Sequence, residues 1–223
     1  MASVTKSSFA SAHDGVRLSA LRASPNGAPL GGVVVIQEIF GLTPHIAQVA
    51  GGFADAGYET LAPSLFDRVE KDFLAEPDPD GMRRGLAAVQ ATSWAQVAAD
   101  IQSAIALLPQ PCFVTGFCWG GAASWIAAAR CSDVKAVSCF YGRLIADLLD
   151  EKPKVSAMFH YGARDPGIPH ENIERVRAAN PGSPLYLYDA GHGFCRAGGH
   201  DFNPEAAALA IERTLNWFAR WRV

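Results

Sequence analysis

The sequence predicts an α/β fold, a central and mostly parallel sheet flanked by helices, and three observations predict it. Short apolar runs rich in β-branched residues alternate with longer segments of helical periodicity, the pattern of strands joined by crossover helices. The runs Val33–Gln37 and Val134–Tyr141 are nearly continuous in apolar character, as strands covered on both faces should be. Finally, Cys112-Phe113-Val114-Thr115-Gly116-Phe117-Cys118-Trp119-Gly120-Gly121 carries a strand through a glycine-rich turn straight into an alanine-rich segment.

Composition bounds the function. A chain of 223 residues, 49% hydrophobic and 18% charged, can bury one sizeable core, so one domain spanning 1–223 is expected. A net charge of -3 with no block of lysine or arginine gives no reason to expect nucleic acid or a membrane surface as partner. Met1 to Asp14 lacks an apolar signal region, and no run is long enough to span a membrane. A soluble, cytoplasmic monomer acting on a small molecule is the expectation. Five cysteines without Cys-x-x-Cys spacing argue against a disulfide framework or a zinc site, and Cys112, Cys131 and Cys139 read as core.

Taken in order, residues 4–9 and 16–23 form a hairpin around His13-Asp14-Gly15. Val33–Gln37 is a central strand, followed by a helix with Thr43 as N-cap and Pro44 at its first position, running to Ala56. Tyr58–Leu61 is a strand stopped by Pro63. The charged, proline-rich stretch 64–81 reads as a surface loop or lid. Arg83 and Arg84 open one long amphipathic helix that ends before Pro109. After the helix Trp119–Arg130 come the strand Val134–Tyr141, a short helix at 144–149 and the strand Val155–Tyr161. The rest reads as a helix from Pro169 to Ala179, the strand Leu185–Tyr188, and a closing helix Pro204–Trp221 with Leu209, Ile211, Leu215 and Phe218 facing inward.

The chemistry concentrates at strand ends. Gly116-x-Cys118-x-Gly120 has the form of a nucleophile elbow, which holds its tip residue above the strand at a helix N-terminus where a thiolate is favoured. A tight turn around a buried cysteine would match the same motif. The order of the downstream residues favours catalysis: Asp165 after one strand and His192 after the next repeat the nucleophile, acid, histidine order of the α/β-hydrolase fold. In such a triad the thiolate attacks a carbonyl, the histidine moves protons, and the carboxylate orients the imidazole. By position, the Trp119 and Ile39 backbone N–H groups would hold the oxyanion. Glu38 lies at the mouth of the sheet, where ligands bind, although an exposed loop glutamate would read the same way. Asp14, Asp189 and Asp201 compete with Asp165 without its place at a strand end. His160, His170, His192 and His200 show no metal-ligand spacing, so neither a metal nor a cofactor is expected. Cys195 reads as a spectator thiol.

With Gln37-Glu38-Ile39-Phe40-Gly41, Gly116-Phe117-Cys118-Trp119-Gly120-Gly121, Gly162-Ala163-Arg164-Asp165 and His192-Gly193-Phe194 in sequence, the chain resembles the dienelactone hydrolase family, the carboxymethylenebutenolidases. The resemblance covers nearly the whole chain. It implies a Cys118–Asp165–His192 triad and a glutamate, Glu38, that keeps the resting cysteine as a neutral thiol and accepts its proton when substrate binds. It implies a substrate carboxylate held by Arg196 and by a lid arginine, Arg84 or its neighbour Arg83. It also implies a lactone from the degradation of chlorinated aromatics as substrate, with maleylacetate as product. Gly193 departs from the family pattern, which has a serine there. A broader carboxylesterase or thioesterase, or a thiol-based sensor without catalysis, remains an alternative on the same residues.

Overall fold

In the computed structural model, which describes residues 2–222, eight strands form one sheet in the order β1-β2-β4-β3-β5-β6-β7-β8. Met1 and Val223, the ends of the expected 1–223 domain, lie outside the described residues. β1 (Val4–Ala10) and β2 (Arg17–Ala23) make the expected hairpin, and β2 runs antiparallel to β4 (Glu59–Pro63). From there β3 (Gly32–Ile36), β5 (Cys112–Phe117), β6 (Val134–Phe140), β7 (Ser156–Gly162) and β8 (Leu185–Tyr188) are all parallel. Every residue of β3 and β5 is buried, which explains why their sequences do not alternate.

Among the described residues there are six α-helices: α1 (Pro44–Asp55), α2 (Pro79–Ala91), α3 (Trp94–Ile105), α4 (Trp119–Arg130), α5 (His170–Ala179) and α6 (Pro204–Arg220). A 3-10 turn, Arg143–Asp147, follows β6. α1 and α6 meet through Phe53 and Phe218, and Phe218 stacks on Phe113 of β5 with ring centroids 4.6 Å apart. Burying one such ring contributes about 2 kcal/mol. α4 is buried along nearly its whole length, and its alanines let it lie close to β5 and β6.

Three sequence expectations are corrected. The long helix from Arg83 is two helices, broken at Thr92–Ser93. Thr92 is extended, the Ser93 side chain accepts from the Gln96 backbone, and the Gln96 side chain accepts from the Ser93 backbone. That capping box starts a new helix more favourably than Thr92 continues the old one. The lid loop is shorter than 64–81, because Asp78 accepts from the Gly81 N–H and starts α2 at Pro79. Leu209 is exposed, and the inward face of α6 is Ala206, Ala210, Thr214, Trp217 and Phe218.

The lid loop is anchored by charge. Arg68 clamps Asp100 of α3 with two hydrogen bonds of 2.7 Å and reaches Asp14 in the β1–β2 turn at 2.6 and 3.0 Å. Beyond it, Leu74 bridges to Gly41 and the Ala75 N–H donates to the Phe40 carbonyl, which lays the lid on the segment after β3. No helix among the described residues is long and apolar enough to cross a membrane.

Candidate active site

Four segments converge at the carboxyl edge of the parallel strands: 38–41 after β3, the turn after β5, the loop after β7 and the loop after β8. Cys118 is the residue between β5 and α4, with φ 55° and ψ -115°. A left-handed backbone is strained for any residue with a Cβ, and such strain collects at functional sites. The flanking glycines permit it. A Cβ on Gly116 would collide with the Gly120 carbonyl oxygen, and one on Gly120 would stand 2.5 Å from that of Gln37. The Cys118 N–H donates to Phe140 O at 3.0 Å, which fixes the turn against β6. Trp119 opens α4, so its N–H is among those that a helix leaves without an intrahelical acceptor.

Asp165 and His192 are brought together. Asp165 Oδ2 and His192 Nδ1 are 2.6 Å apart, while Asp165 Oδ1 accepts from the Gly167 N–H at 2.8 Å. The Asp165 side chain is fully buried and that of His192 is 32% exposed, so the imidazole spans the distance between a dry carboxylate and solvent. Burial works to lower the His192 pKa, but hydrogen bonding to Asp165 and Cys118 outweighs it and raises the group from 6.5 to about 10. Of the competing acids, Asp14 binds Arg68 and Asp189 pairs with Arg164, while the Asp201 carboxylate packs against Gly191 and makes no contact with His192 like that of Asp165.

Glu38 is not an exposed loop residue. It is 1% exposed, and its Oε2 accepts from Arg196 Nη1 at 3.2 Å. The Arg196 guanidinium also lies over the Phe40 ring, 5.3 Å from its centroid. Gly193, with φ +70°, faces this pair. A Cβ there would stand 3.7 Å from Arg196 Nη2 and 3.9 Å from Glu38 Oε1. Ile39 is buried beneath α2, where a Cβ on Gly85 would collide with the Ile39 carbonyl oxygen.

Arg84 is placed differently from Arg196. Its hydrogen bonds go to Glu70 at 2.8 Å and to the Leu74 carbonyl at 3.3 Å, and it packs over Phe73. Arg83 is paired with Asp80 at the surface.

Two residues of the site are not found by reading the sequence. Tyr141, the last residue of an expected strand, is fully buried with its ring edge-on to His192 at 5.1 Å. His45, near the start of α1, is buried edge-on to Phe117. Burial lowers its pKa below 6.5, the Glu38 charge opposes this and the Arg196 charge adds to it. The signal available for Tyr141 is its place at the carboxyl end of the strand beside the elbow strand. His45 carries no such signal. Cys195 is buried, and its thiol pKa is raised well above 9.0 by burial. Among the described residues, no group of three or more His, Cys, Asp or Glu side chains is arranged to hold a metal ion.

Comparison with known proteins identifies the chain's family. A family model described as "Dienelactone hydrolase family" matches residues 18–221. The chain is 32% identical over 221 residues to a Salmonella typhimurium protein named "Putative carboxymethylenebutenolidase", covering 90% of this chain and 80% of that one. It is 30% identical over 220 residues to the carboxymethylenebutenolidase of Pseudomonas putida, covering 93% of each. Among solved structures, the "Putative Dienelactone Hydrolase" of Klebsiella pneumoniae superimposes with a TM-score of 0.83 at 28% identity, over 98% of this chain and 100% of that one.

Proposed function

The chain belongs to the dienelactone hydrolase family, and from that premise we propose that it opens the ester bond of a small anionic lactone through a Cys118 acyl-enzyme. The observation that carries this reading is the 2.6 Å contact of His192 with the buried Asp165, next to a strained cysteine at a strand-to-helix turn. Cys118 is the nucleophile, His192 the proton donor and Asp165 the group that orients it.

The raised His192 pKa supports one reading of the proton traffic. An imidazole already protonated at neutral pH is in the right state to protonate a leaving alkoxide and the wrong state to take a proton from a thiol. Glu38 is the base for that task, and Arg196 restrains it. One guanidinium cannot serve two carboxylates fully, so a substrate carboxylate that draws Arg196 away frees Glu38 to accept the Cys118 proton. The thiolate then attacks the lactone carbonyl, the Trp119 and Ile39 N–H groups hold the oxyanion, and His192 protonates the ring oxygen as the C–O bond breaks. Water releases the acyl group in the second half of the reaction. Arg84 supplies the second contact to the substrate carboxylate by giving up its partly exposed pairing with Glu70.

Gly193 favours a second reading, in which the enzyme accepts a wider range of esters. A glycine facing the Glu38–Arg196 pair offers the substrate no hydroxyl where the family has one. Hydrolysis of cis-dienelactone and of p-nitrophenyl acetate by wild type and Cys118→Ala tests both. Turnover of the lactone that Cys118→Ala loses, by roughly a thousandfold or more, is the expected result. Turnover of the aryl ester alone would keep the nucleophile and replace the substrate, and activity surviving in Cys118→Ala would overturn the mechanism.

A further inference from the structure

Six buried side-chain polar atoms among the described residues have no hydrogen-bond partner: Gln37 Nε2, Thr43 Oγ1, His45 Nε2, Tyr141 Oη, Arg196 Nε and Trp217 Nε1. Of these, Arg196 pairs with Glu38, and His45 and Tyr141 lie within reach of its charge. Unpaired buried polar groups cost stability and are rare, so each calls for a reason.

Tyr141 is the clearest case. It is fully buried, it is one of four non-glycine residues with positive φ among the described residues, at 36°, and its N–H is tied to His160 O at 2.7 Å. Phe140, the residue before it, accepts the backbone N–H of Cys118. The ring is fixed by edge contacts with His192 and Phe194, at 5.1 and 5.3 Å. The fold therefore tolerates backbone strain to hold a buried phenol against His192, and among the described residues gives its hydroxyl no hydrogen-bond partner. The Cys195 thiol interacts with this hydroxyl, which nevertheless has no hydrogen-bond partner among the described residues. Burial, with the charges of Cys195, Glu38 and Cys118 adding to it, pushes the phenol well above 10.0, so it is an O–H donor throughout the neutral range.

Glu38, whose charge reaches the Tyr141 phenol and whose Oε1 lies beside Gly193 next to His192, is the candidate acceptor. Among the described residues its side chain accepts one hydrogen bond, from Arg196, and a buried carboxylate stripped of that donor is costly unless another replaces it. We propose that Tyr141 is a positioning residue whose hydroxyl donates to the Glu38 carboxylate when a substrate carboxylate draws Arg196 away. This rests on the reading of Glu38 and Arg196 given above. The hydroxyl is unpartnered while Arg196 holds Glu38 and is paired once the exchange has occurred. A neutral ester, which does not compete for Arg196, draws on Tyr141 less.

The test is Tyr141→Phe, which keeps the ring and removes the oxygen, assayed on cis-dienelactone and p-nitrophenyl acetate and by thermal unfolding. The expected result is a kcat/KM on the lactone lowered roughly tenfold or more, at least about fivefold more than on the neutral ester, with a Tm no lower than wild type. Equal losses on the two esters, or no loss on either, would overturn the proposal. In a Glu38→Gln background, Tyr141→Phe should add no further discrimination, and an additive loss would likewise contradict it. A wild type whose preference between the two esters is unchanged by Arg196→Ala would instead overturn the reading beneath it.

Discussion

At the scale of single residues, the site separates two buried carboxylates by what each one faces. Asp165 meets an imidazole and a backbone N–H, while Glu38 meets a guanidinium. In the proposed mechanism only the second pairing is exchanged, when a substrate carboxylate draws Arg196 away. His192 also leaves a mark on stability. Its pKa is raised in the fold to about 10 from 6.5, so its favourable pairing is fully present below pH 6.5 and is lost as pH rises through about 10. Thermal unfolding should therefore show a Tm that declines between pH 6.5 and 10, with a shallower decline in His192→Gln. Parallel curves for the two proteins would contradict the assignment. Cys118, Asp165 and His192 are legible in the sequence because an elbow and its partners obey a fixed order along the chain. Glu38 is legible as a strand-end residue, but its partner Arg196 is found only through family likeness, since nothing in a loop sequence says which way a guanidinium turns.

At the scale of elements, the misreading of α2 and α3 has a local cause. Helical spacing of apolar residues continues through Thr92–Ser93, so periodicity alone joins the two helices. The break is in the side chains of Ser93 and Gln96, a Ser-x-x-Gln box in the interior of an apparently continuous pattern. Ser93→Ala should cost about 1 kcal/mol, read as a lower urea midpoint with unchanged slope, and an unchanged midpoint would show that the cap is idle. The break matters for the site because it frees α2 to lie across the segment after β3, with Gly85 on the Ile39 carbonyl. A single long helix starting at Arg83 would have no reason to bend there.

For the molecule as a whole, the mostly parallel sheet is predictable because strands buried on both faces write themselves as continuous apolar runs. What cannot be read is the packing of one loop on another. The lid's anchor, Arg68 between Asp14 and Asp100, joins positions far apart in sequence through charge alone. Charged residues in a loop carry no periodicity from which to infer a partner. The same is true of Tyr141, whose buried hydroxyl has no hydrogen-bond partner among the described residues. The architecture gathers four strand ends at one edge, and the reading proposed for them is a covalent intermediate on one named sulfur.

That intermediate is the most direct test of the account. Wild-type protein mixed with p-nitrophenyl acetate, quenched in acid within the first turnover and digested for peptide mass spectrometry, should carry an acetyl group on the peptide containing Cys118. The Cys118→Ala protein should carry none. An acetyl group on Cys195 or another residue, or turnover with no adduct in either protein, would contradict a cysteine acyl-enzyme at the elbow.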